Sequence, residues 1–200
     1  HAMKGVFILL VCGGTGKIIS DVVHILDYAA RKQQHVTRST FAAELFSACD
    51  GVDHGLLVTI TLHKIQLGCR GAAEARRLRE EGGLAFKMWL CIDAMSVLAA
   101  MSAEAVRAPA EKSLVGHVLW LRELADRGIL TGAAWVDTRD MLSDGLTKGS
   151  VDRSLIDAAL AGTEYIRIGV SELSCFGVLV LTVAYRLDKA GHVAAALVHL

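Results

Sequence analysis

Between Thr37 and Gln66 apolar residues recur at steps of three and four: Phe41, Leu45, Ala48, Val52, Leu56 and Ile60. This spacing puts them on one face of a 3.6-residue period and predicts a long helix. Ser39 or Thr40 is its natural N-cap. A long helix with one apolar stripe needs a layer to lie on, and the flanking sequence supplies strands for it. Val6–Cys12 and Val22–Tyr28 are short β-rich apolar runs around a glycine-rich turn, Gly13-Gly14-Thr15-Gly16-Lys17, and predict an antiparallel pair. Ala85–Ile92 and Ile129–Val136 read as two later strands, separated by helical patterns and so expected to be parallel with right-handed crossovers. Ala94–Ala105, Glu111–Gly128 and Asp140–Ala161 read as helices, the last broken near Gly149-Ser150. Gly71–Gly83 reads as a charged, exposed helix between glycines. The order is β, β, α, β, α, α, β, α: an α/β chain whose mixed sheet is flanked by helices.

Composition narrows the function classes. The chain has 200 residues, with 21 Lys+Arg against 21 Asp+Glu and a formal net charge of zero. A strongly basic nucleic-acid clamp and an acidic disordered tail are both excluded. Apolar residues make up 53% and there is one Pro, which excludes a disordered or collagen-like chain. The mean hydropathy of +0.44 is high for a free-standing domain and points to a fragment or a covered face. Five cysteines are dispersed without a CxxC, the pattern of reduced, buried thiols in an intracellular protein. Lys4 followed by Val6–Cys12 mimics a signal peptide, but the run is short and leads into glycines rather than a cleavage site. Cys175–Tyr185 is apolar yet well short of the ~20 residues of a spanning helix, so it reads as a buried strand or helix and not a membrane segment.

Three acids take notable positions in this layout. Glu44 lies near the start of the long helix, on the edge of its apolar stripe; Asp93 ends an apolar strand; Asp144 lies near the start of the last helix. A strand C-terminus and helix N-termini can converge at one edge of an α/β sheet. Carboxylates held together repel, which a divalent cation relieves. Mg²⁺ prefers such oxygens, and two ions ~4 Å apart can cleave a phosphodiester. Plainer roles compete: Glu44 and Asp144 as first-turn acids favoured by the helix dipole, and Asp93 as an N-cap.

Five segments carry a resemblance: Lys32-Gln33, TRSTFAAELFSACD (Thr37–Asp50), LCIDAMSVLAAM (Leu90–Met101), EKSLVGHVLWLRELADRG (Glu111–Gly128) and AAWVDTRDMLSDGLTKG (Ala133–Gly149). In order and spacing they resemble the ribonuclease H-like domain of copia-type retrotransposon polyproteins. The most specific piece is WVDTRDMLSDGLTKG, followed by STFAAEL and the strand-ending acid of LCIDAMS. The resemblance implies a ribonuclease H-like domain over residues 1–168, followed by a divergent apolar extension over 169–200. It implies that Glu44, Asp93 and Asp144 hold Mg²⁺ and cut the RNA strand of an RNA–DNA hybrid, and that other polyprotein parts, such as a reverse transcriptase, are partners. In the family a fourth acid, an aspartate, sits on the first, central strand. Here the chain starts at what resembles the second strand, and Asp21 and Asp27 belong to the hairpin and do not match. The expected fold therefore lacks the first central strand, and the expected activity is impaired. A non-catalytic structural or interaction domain that keeps the fold is the alternative.

Arg31, Lys32 and Arg38 precede the Glu44 helix and could touch phosphate, or could be solvated loop residues. The Gly13–Lys17 stretch fails the P-loop pattern at both ends, Val11 and Ile18. His54, His63 and His117 show no ligand spacing. There is no Gly-x-Ser-x-Gly elbow. The apolar extension is too apolar to stay solvated and is expected to pack on the domain, over the surface or edge that a missing first strand leaves open.

Overall fold

The computed structural model describes residues 2–11, 23–34, 37–68, 71–104, 111–137, 141–147, 153–161 and 177–186. Its elements follow in the order β1 (Ala2–Val11), β2 (Val23–Lys32), α1 (Thr40–Leu67), α2 (Ala72–Glu81), β3 (Lys87–Ile92), α3 (Met95–Ser102), α4 (Val115–Asp126), β4 (Gly132–Trp135), α5 (Asp144–Thr147), α6 (Ser154–Leu160) and β5 (Gly177–Arg186). A 3-10 turn, Lys112–Leu114, leads into α4. The chain is mixed α/β. The long helix, its Ser39 cap, the antiparallel β1–β2 pair and the parallel β3–β4 pair are as the sequence predicts. The glycine-rich turn between β1 and β2 and the break near Gly149-Ser150 lie outside the described residues.

The described strands form one sheet in the order β2-β1-β5-β3-β4. β1 runs antiparallel to both β2 and β5, while β3 runs parallel to both β5 and β4. The apolar stretch near the C-terminus is thus a central strand. Val6↔Thr182 and Phe7↔Leu181 set its register on β1, and Leu90↔Val180 and Ile92↔Thr182 set it on β3. Sequence alternation cannot show this, because a strand covered on both faces reads as one continuous apolar run.

The two faces of the sheet bury two cores. On one, Val6, Ile8, Met88, Leu90, Ile92 and Val180 meet α1, α3 and α4. On the other, Phe7, Leu9 and Cys91 meet Met141, Leu142 and Ala159 from the α5–α6 region. Successive residues of β1 and β3 alternate between the two, as the pleat requires. α1 lies close to the central strand because Gly55 faces it: a Cβ there would stand 2.3 Å from Val180 Cγ2. The helix also satisfies its own buried polar groups. Thr59 Oγ1 donates to the Gly55 carbonyl (2.7 Å), and the Ala85 N–H donates to His63 Nδ1 (3.0 Å). Among the described residues α1 alone is long and apolar enough to cross a membrane, and 56% of its most apolar window is buried within the fold.

Cys49 and Cys91 are free and buried. Burial pushes both thiols up to about 12, with Asp53 adding to the effect at Cys49.

Two outcomes follow from this packing. Gly55→Val forces a side chain into Val180 and should cost about 1–3 kcal/mol in urea unfolding, the usual range for overpacking. Cys49 and Cys91 should resist alkylation at pH 8 in the folded chain and react once it is unfolded, as read by peptide mass spectrometry. Keeping these thiols neutral should stabilise the fold fully below pH ~8.5, with that stability lost as pH rises toward about 12.

Candidate functional site

The register defines one edge of the sheet. Met3 pairs with Lys32 and Ala2 with Arg186, so the start of β1 lies beside the ends of β2 and β5. Ile92 pairs with Thr182 and with Trp135, which brings the ends of β3 and β4 to the same edge. α1 begins here, directly after β2. Buried Gln33 ties the two, its Nε2 donating to the Ala43 carbonyl (3.4 Å). Ser39 caps the helix by accepting from the Ala42 N–H (3.1 Å). α5 begins here too, after β4.

All three acids lie at this edge. Glu44 is half-buried in the second turn of α1, beyond the first turn, so the dipole role considered for it does not apply. Asp93 is half-buried directly after β3. It is not the N-cap of α3, because that position is Ala94. Asp144 opens α5 and is 4% exposed. The elements approach from different sides: α1 covers one face and α5 the other, and Asp93 directly follows β3.

Gly5 lets α5 approach this closely. A Cβ at Gly5 would stand 2.7 Å from the Ser143 carbonyl, one residue before Asp144, and 3.0 Å from Thr147 Cγ2. Gly5 pairs with Val183, and Thr182 pairs with Ile92. The next position beyond Ile92 is Asp93, so Gly5, Val183 and Asp93 share one row across the sheet. The central strand, GVLVLTVAYR, brings no carboxylate to that row.

Among the described residues, no three His, Cys, Asp or Glu side chains stand together as a metal-holding group.

The cationic residues named in the sequence separate. Arg31 and Lys32 line a cleft of about 580 Å³ between β2 and α1, together with Lys4, Asp50, Asp53 and His54. Arg38 is exposed before α1 and does not line it. Lys4 pairs with Asp50, Arg79 with Asp53 (3.3 Å) and His54 with Asp27 (2.7 Å). Burial lowers the Lys4 pKa, and the Arg31 charge lowers it further. His63 accepts from the Ala85 N–H, and His117 stands edge-on to Phe46 at 4.9 Å.

Sequence reasoning overlooked Lys4 and Trp135. Trp135 lies between two buried residues, Ala134 and Val136, at the end of a strand. That alternation alone turns it outward. Lys4 sits one residue before Gly5, where a cation ahead of an apolar run reads as a solvated end.

The chain matches no family model, no curated protein and no solved structure in the comparisons made.

Gly5→Ala should push the Ser143–Asp144 backbone away from β1. A loss of about 1–3 kcal/mol in denaturant unfolding is expected. The faster hydrogen exchange should be confined to α5 and β1; a uniform change across the sheet would contradict this close approach.

Proposed function

We propose that this chain is a ribonuclease H-like domain of retrotransposon origin whose central strand is supplied by its C-terminal segment. In this reading it holds an RNA–DNA hybrid and cleaves it weakly or not at all. The observation that carries the reading is the position of β5, between β1 and β3 at the centre of the sheet. Central is the position that the resemblance implies for the family's first, aspartate-bearing strand. The strands on either side are then β1, which resembles the family's second strand, and β3, the strand that Asp93 ends.

The same observation supports the loss of cleavage. β5 occupies the central position without an aspartate, and Val183 holds the position beside Asp93. The family's Mg²⁺ chemistry needs carboxylates that fix two ions, and an error near 1 Å in position can cost ~100-fold in rate. With no carboxylate on the central strand, this chain lacks one of the four acids that the resemblance implies for that chemistry. The alternative of a non-catalytic interaction domain differs only in what is bound. In the present reading Arg31, Lys32 and Arg38 face phosphate, and other polyprotein segments, reverse transcriptase among them, are candidate partners within the cell.

The test is gel analysis of a labelled hybrid with Mg²⁺ or EDTA. The unmodified chain should leave the RNA strand intact or nearly so. Val183→Asp should produce Mg²⁺-dependent cleavage, and adding Asp93→Asn should remove it. Robust EDTA-sensitive cleavage by the unmodified chain would contradict the proposal, as would a folded Val183→Asp variant that neither cleaves nor gains stability from Mg²⁺.

A further inference from the structure

Trp135 has no role in the fold's two cores, yet it is held in place. It closes β4 in register with Ile92, at the edge that carries the acids. It is 42% exposed, while Ala134 and Val136 on either side of it are buried. Its indole Nε1–H donates to the main-chain carbonyl of Asp93 (3.2 Å). The polar end of the ring is therefore satisfied, and the ring is tied to the residue that ends β3. An exposed aromatic fixed by its own hydrogen bond presents a π-face at little further entropic cost.

Cations stand at the other side of the same edge. Arg31 and Lys32 are exposed on β2 and have no ion-pair partner among the described residues. From β2 to β4 is four strand spacings, roughly 19 Å at ~4.8 Å each. At ~3.4 Å per step, a nucleic-acid strand covers that span in about five to six nucleotides. The carboxylates lie along the way. With a formal net charge of zero, the chain has no large basic field to hold a polyanion, so stacking must supply much of any affinity.

We infer that Trp135 is a stacking platform for a base of an RNA strand crossing this edge, with phosphates of the same strand reaching Arg31 and Lys32. The inference rests on the nucleic-acid reading above and adds a binding residue which that reading does not require. Stacking accepts any base, so the site selects for an unstacked or terminal nucleotide rather than for a sequence.

The test is fluorescence anisotropy with a short labelled RNA–DNA hybrid carrying an RNA overhang, in EDTA so that cleavage plays no part. Trp135→Ala should weaken binding roughly 5- to 150-fold, and Trp135→Phe, which keeps a ring, should stay within about threefold of the unmodified chain. Hybrid addition should quench tryptophan emission in the unmodified chain and much less in Trp135→Phe, a readout that survives if the Ala variant fails to fold. Unchanged affinity in a folded Trp135→Ala, alongside weakened binding in Arg31→Ala, would overturn the platform and leave the nucleic-acid reading standing. No binding by the unmodified chain would overturn both.

Discussion

Without β5, this molecule would be two ribbons. β1–β2 and β3–β4 do not touch in the sheet, and each would present an open inner edge of unpaired backbone groups. One strand joins them, hydrogen-bonding antiparallel on one side and parallel on the other. The same strand is the floor on which α1 lies, with Gly55 against Val180. It also sets the row in which Gly5, Val183 and Asp93 align. The sheet, the position of the long helix and the arrangement of the acidic edge all depend on an element that comes last in the chain. The fold therefore closes only through contacts of high sequence separation, which are the slow ones to form.

Local elements were readable from the sequence because their signals are local. The three- and four-residue spacing of α1, the Ser39 cap, the glycines bounding α2 and the apolar runs of β1 and β3 each determine an element with nearby residues. The position of β5 was not readable, since nothing within GVLVLTVAYR says which strands it will join. Register and order come from tertiary pairing. A run that is apolar throughout fits a central strand, a buried helix segment or a covering layer equally well until the open slot is known.

The candidate site divides in the same way. Glu44, Asp93 and Asp144 reach one sheet edge because each sits at the start or end of an element whose type could be read. How they face one another is set by packing: α1 and α5 lie on opposite sides of the sheet, a three-dimensional fact that spacing along the chain does not carry. Arg31 and Lys32 could be named but not separated from Arg38, because the cleft that distinguishes them is built from β2 and α1 together. Trp135 was visible only as one letter of a motif, until its hydrogen bond to Asp93 gave it a place.

The central claim is that residues 177–186 form the middle strand of the sheet. Amide hydrogen exchange resolved along the chain tests it most directly. Both sides of a central strand are paired, so its amides open only with the whole sheet. The account predicts protection in β5 equal to that of β3 and of the buried face of α1, and well above that of the edge strand β2. Exchange in 177–186 as fast as in β2, while β1 and β3 remain protected, would contradict it.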